Sequence, residues 1–171
     1  MGMTCELRAV DEGQINEWLA NPESKSGFLN EKSTSLEEDE AAGTYIYIDK
    51  AWHGIHFLLT GSAWEGEEPW CYLMNGGATF HQGDPDSAPD RVLRPNQIAA
   101  WADALGAIST VELRRRFDPE AMMEAGIYPG IWDRDPKDDD TLGYLLEYYE
   151  TLRSFLEQTK KENKGVIITI S

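Results

Sequence analysis

The sequence predicts an α+β fold: one compact domain over residues 1–171, with a small mixed sheet that includes the N- and C-terminal strands and is covered by several helices. Three observations carry this expectation. The terminal run Val166-Ile167-Ile168-Thr169-Ile170 is apolar almost without a break, as in a strand covered on both faces, which places it at the sheet centre. Helical periodicity dominates elsewhere, with no repeating strand–helix–strand rhythm and no internal repeat. No linker divides the chain, and a domain of 171 residues buries roughly 70% of the surface its unfolded chain exposes.

Taken in order, residues 4–10 extend as a strand, and Asp11 is an N-cap for a helix with Ile15, Trp18 and Leu19 on one face. Asn21-Pro22 ends that helix. Residues 23–43 are polar and acidic, including Glu37-Glu38-Asp39-Glu40, and read as a solvated excursion with at most a short helix around Phe28 and Leu29. Residues 44–48 form a short strand, followed directly by a helix from Asp49 to about Thr60 with Gly61 at its C′ position. Pro69 opens a second, shorter helix that stops at Gly76-Gly77.

From Ala78 to Leu93 the chain reads as a long loop, since His81, Gly83, Asp84, Pro85, Asp86 and Pro89 all break regular structure. Residues 95–105 then make the clearest amphipathic helix, lined by Ile98, Trp101, Ala102 and Leu105 and closed by Gly106. Ser109 with Glu112 is a capping box for residues 111–117, and Asp118-Pro119 starts a short helix that ends near Gly126. The longest helix runs from Thr141 to about Asn163, with a stripe of Leu142, Leu145, Leu146, Tyr149, Leu152, Phe155 and Leu156, and Gly165 stops it.

Charge excludes some functions. Fifteen basic against thirty-one acidic side chains leave a formal charge of −16, which repels phosphate backbones and anionic lipid headgroups. Nucleic-acid and membrane-surface binding are therefore disfavoured, whereas a basic protein partner would be attracted. No apolar run approaches the roughly 18 residues of a membrane span, and no secretory signal opens the chain. The two cysteines, Cys5 and Cys71, are far apart in sequence and fit a reducing cytoplasm as small buried hydrophobes.

Chemistry-bearing residues gather on the helix after Asp49. Asp49, His53 and His56 can point to one side as a two-histidine, one-carboxylate metal set, but His56 also shares a stripe with Trp52, Ile55 and Leu59, where an imidazole is a packed core group. Cys71 lies between Trp70 and Tyr72 without a nucleophile signature, and would need His53, His56 or His81 as its base. There is no Gly-rich phosphate loop, no Gly-x-Ser-x-Gly elbow and no paired-cysteine metal motif, so no cofactor is implied. Trp64, Trp70, Tyr128 and Trp132, in loops beside acidic residues such as Asp135 and Asp138, have the composition of a recognition surface; the alternative is that they plug gaps over the sheet.

The stretch from Lys50 to Gly61, together with Met1-Gly2-Met3, the Ser109 to Phe117 helix, Tyr128-Pro129-Gly130-Ile131-Trp132 and the C-terminal strand, resembles the YfbM-like bacterial family, whose function is unknown. The resemblance spans essentially the whole chain. It implies a compact bacterial cytoplasmic α+β protein and supplies no reaction, cofactor or catalytic residue. In that family an acidic residue often precedes the Ile-Tyr-Pro element, whereas this chain has Gly126 there. Two readings follow: an interaction protein, in its sharpest form an acidic immunity-type inhibitor of a basic partner, or an enzyme or small-ligand protein built on Asp49, His53 and His56.

Overall fold

The computed structural model describes residues 2–32, 34–80, 86 and 88–171. Its centre is a five-stranded sheet in the order β2-β1-β5-β4-β3, comprising β1 Cys5–Val10, β2 Tyr45–Tyr47, β3 Ala78–Phe80, β4 Asp90–Leu93 and β5 Gly165–Ile170. The C-terminal strand lies in the middle, as its apolar run predicts. Every neighbouring pair is antiparallel, so the sheet is not mixed: the connections bring each strand back against the direction of its neighbour.

Eight helices accompany these strands among the described residues: α1 Glu12–Ala20, α2 Glu23–Lys32, α3 Leu36–Ala41, α4 Trp52–Thr60, α5 Pro95–Gly106, α6 Thr110–Arg116, α7 Pro119–Glu124 and α8 Thr141–Lys161. Side-chain alternation along the strands separates two cores. Cys5, Leu7, Leu93, Val166 and Ile168 face the larger one, shared with Ile55 and Leu58 of α4, Ile98 and Trp101 of α5 and Tyr149 and Leu152 of α8. Val10, Val92 and Ile167 face a smaller one closed by Ile15 and Trp18 of α1. Trp18 meets Phe28 of α2 with ring centroids 5.1 Å apart.

Three stretches depart from the sequence expectation. Residues 23–43 hold two helices, where mainly solvated chain is expected. Their composition hides the anchor: Lys25 is fully buried, with its ammonium on Asp90 and 5.2 Å from the centre of the Phe80 ring. Residues 69–74 form consecutive turns without a continuous helix. Residues 78–93, expected as loop, contain β3 and β4; these strands of three and four residues are too short for alternation to show. His81, Gly83, Asp84 and Pro85 lie outside the described residues. Leu19, assigned to the buried face of α1, is 40% exposed.

Arg91 explains how the turns are fastened to the sheet. It sits on β4 almost wholly buried and donates to the carbonyls of Leu73 at 2.5 Å and Gly76 at 3.2 Å. Gly77 makes the close approach of β3 to β4 feasible, since its φ is +76° and a Cβ there would collide with the Val92 carbonyl. No helix among the described residues is long and apolar enough to cross a membrane.

Candidate functional site

The α4 helix starts at Trp52 rather than Asp49, because Asp49 has a left-handed φ of +47° and belongs to the preceding turn. Trp52 through His56 are all buried, so the helix is surrounded on every side by protein rather than presenting a single core stripe. Gly54 permits this crowding: a Cβ there would lie 2.9 Å from the Trp132 ring and 2.7 Å from Leu145.

Both imidazoles are used to tie loops to α4. His53 donates from Nε2 to the Ala63 carbonyl at 2.8 Å and accepts at Nδ1 from the Tyr128 amide at 2.9 Å. Those partners specify the neutral Nε2–H tautomer and leave no ring nitrogen for a metal or a substrate proton. His56 donates from Nε2 to the Glu65 carbonyl at 3.1 Å, while its Nδ1 has no hydrogen-bond partner among the described residues. Burial pushes His53 below its ordinary pKa and His56 down to about 4, in the second case with the nearby Arg91 charge acting in the same direction.

Asp49 is engaged elsewhere, accepting from the Tyr144 hydroxyl at 2.9 Å and the Tyr47 hydroxyl at 3.3 Å. The expected convergence of Asp49, His53 and His56 is therefore not formed, and no group of three or more potential ligands able to hold a metal occurs among the described residues. Cys71 is buried and its thiol is pushed up by desolvation, the reverse of what an activated nucleophile needs. Cys5 is likewise buried, with its pKa raised to about 12, and both thiols are free. The physical reason is common to the two thiols: both face the large core, where the neutral form is favoured.

The aromatic set divides. Trp132 is not an exposed anchor, for it is 1% exposed and its indole N–H donates to the Ile127 carbonyl at 2.8 Å. Trp70 is half-buried against the larger core. Tyr128 is half-buried too, stacked on Trp52 at 5.8 Å and accepting at its hydroxyl from the Met3 amide at 2.8 Å. Trp64 alone of the four projects, with 60% of its surface exposed and its ring 4.6 Å from that of His53. Asp135 and Asp138 are exposed, as expected.

A groove of about 1090 Å³ lies between the α6–α7 pair and residues 132–142. Phe117, Pro119, Met123, Trp132, Pro136 and Leu142 give it an apolar floor. Its walls carry the carboxylates of Asp118, Glu120, Asp133, Asp135 and Asp140 against the guanidiniums of Arg114 and Arg134, so the lining is net negative. Arg134 is further neutralised by Asp139 at 2.7 Å. Two carboxylates also organise the walls: Asp118 caps α7 through the Ala121 amide, and Asp140 caps α8 through the Gly143 amide.

Residues 1–169 match the family described as a domain of unknown function, DUF1877. The chain belongs to the DUF1877 family. Among relatives, Protein YfbM of Escherichia coli strain K12 is 24% identical over 174 residues, spanning 99% of each chain. A crystal structure of YfbM from Escherichia coli, titled as a protein of unknown function, superposes with a TM-score of 0.70 at 21% identity, covering 98% of this chain and 99% of that one. This likeness establishes the fold over the whole DUF1877 domain.

Of the two aspartates that the sequence offers, Asp135 lines the groove and Asp138 does not, and the opposing wall is not anticipated at all. Phe117, Asp118, Glu120 and Met123 read only as core and capping residues of two short helices. The alternation of apolar and acidic residues across 117–121 is the trace they leave. It becomes a wall only because α7 is carried opposite the start of α8.

Proposed function

We propose that this DUF1877 protein is a protein-interaction module that seats a basic, partly apolar segment of a partner in the α6–α7 groove. The groove's composition carries the reading: an apolar floor walled by five carboxylates and two guanidiniums, in a chain of net charge −16. An apolar floor supplies affinity through removal of surface from water, while the acidic rim attracts and orients a cationic segment. The alternative built on Asp49, His53 and His56 lacks support, since these side chains are separately hydrogen-bonded inside the protein. A partner with a cationic active site would make the module an inhibitor of the immunity type.

The test is a pull-down from the native cell at low salt with wild-type protein and with an Asp133→Asn, Asp135→Asn double variant. A basic partner recovered by the wild type, released as salt rises and poorly recovered by the variant is the expected result. Equal recovery by both proteins, with the same salt dependence, overturns the groove assignment.

A further inference from the structure

The loop after α4 exposes a tryptophan without leaving it free to move. In most surface loops a side chain that protrudes also wanders, because the backbone beneath it has few partners. Residues 62–65 are different, since four successive carbonyls are each held. Ser62 O accepts from the Thr60 hydroxyl at 3.1 Å, Ala63 O from His53 at 2.8 Å, Trp64 O from the Asn75 side-chain Nδ2 at 2.7 Å and Glu65 O from His56 at 3.1 Å. The Ser62 hydroxyl additionally accepts from the Glu65 amide at 3.1 Å. His53 and His56, which the sequence offers as candidate catalysts, are here supports for this loop.

The rings extend the same support. Tyr128, Trp52 and His53 stack at centroid separations of 5.8 and 5.0 Å, and Trp64 follows at 4.6 Å from His53 with its ring tilted by 41°, so it ends a row of rings that is otherwise buried or half-buried. One side of its indole rests on the neutral His53, and 60% of the residue stays in water. Glu65 and Glu67 follow it in the chain, and both are exposed. None of these residues lines the α6–α7 groove.

We infer that Trp64 is a preorganised platform for an arginine side chain of a partner protein, with Glu65 and Glu67 receiving the guanidinium N–H groups. The physical case has three parts. An indole face attracts cations, and a planar guanidinium stacks on it while its edge still donates to carboxylates. Because the loop is already ordered, binding forfeits little conformational freedom. A quaternary ammonium, by contrast, is held by several rings arranged around it, and Trp64 offers a single open face. The inference stands apart from the groove, since it concerns different residues and a single side chain.

The experiment titrates ¹⁵N-labelled protein with the peptide acetyl-Gly-Arg-Gly-amide, with its lysine counterpart and with its citrulline counterpart, which keeps the shape and loses the charge. The chain has six tryptophans, and Trp64→Phe identifies which indole signal belongs to Trp64. The expected result is a saturating shift of that signal with the arginine peptide, weakened about 3–10-fold by Glu65→Gln with Glu67→Gln, and no saturable shift with citrulline. In Trp64→Ala the five other indole signals should stay in place, showing an intact fold, while the backbone shifts at Glu65 and Glu67 vanish. Equal responses to arginine and citrulline, equal affinity for a lysine peptide, or shifts confined to residues of the α6–α7 groove would each overturn the platform. The last of these would leave the groove reading intact, and loss of the groove reading would leave the indole titration unaffected.

Discussion

Acidification from about pH 7 to about pH 5 should destabilise the protein through the α4 histidines. His56 is fully buried, and desolvation lowers its pKa from 6.5 to about 4. Because the folded value lies below the unfolded one, the unfolded chain takes up a proton first as pH falls. The associated stability is fully present above pH 6.5 and is lost as pH drops toward 4. Between pH 7 and 5 the loss from His56 is about 2 kcal/mol, and His53, shifted in the same direction, adds to it. Protonation of His53 would also set an imidazolium N–H against the Tyr128 amide. The assay is urea unfolding followed by tryptophan fluorescence at stepped pH. It stops near pH 5, above the range where most carboxylates titrate and relief of the −16 charge acts in the opposite direction. His56→Gln keeps a donor for the Glu65 carbonyl but does not titrate, so the variant should lose more than half of the pH dependence. A wild-type stability flat from pH 7 to 5, or an undiminished slope in His56→Gln, would refute the reasoning.

Further outcomes follow from the same packing. Trp52→Ala should cost about 3–5 kcal/mol, because its ring is 2% exposed and its indole N–H donates to the Met3 carbonyl; an unchanged denaturation midpoint would contradict the burial. Gly54→Ala should cost about 1–3 kcal/mol, as the added methyl meets Trp132 and Leu145, and a thermal melt at the wild-type temperature would show that those side chains yield freely. Deleting residues 166–171 removes nearly all of the strand between β1 and β4 and should yield insoluble protein; soluble protein with a cooperative melt would count against its central place. Asp133→Asn with Asp135→Asn should shift stability by less than about 0.5 kcal/mol, since both carboxylates are exposed, so any loss of partner recovery is separable from unfolding by one denaturation curve.

Much of the architecture is written in local pattern. The nearly continuous apolar run at 166–170, the four-residue face of α5 and the stripe of α8 each state how their side chains meet water, and the folded chain honours them except at Leu142, which is half-buried at the groove. Caps are equally local: Ser109, Asp118 and Asp140 lie next to the amides they satisfy. The YfbM-like resemblance likewise rests on contiguous stretches, and it agrees with the DUF1877 family match.

What stayed hidden depends on residues distant in sequence. Lys25 is buried only because Asp90, sixty-five positions later, meets its charge, and Arg91 holds a buried place on β4 through carbonyls of a turn it does not adjoin. Composition scores both cations as solvent-facing, so the sequence predicts only a short helix around Phe28 and Leu29 where α2 lies, and loop where β4 lies. Histidine roles are undetermined by spacing for the same reason: whether His53 is a ligand or a brace turns on the Ala63 carbonyl and the Tyr128 amide, the latter seventy-five positions away. The groove's two walls, within residues 114–123 and 132–142, are close in sequence, yet they face each other only through packing. A pattern of side chains fixes which residues leave water; which polar group each of them then finds there is settled when the chain closes on itself.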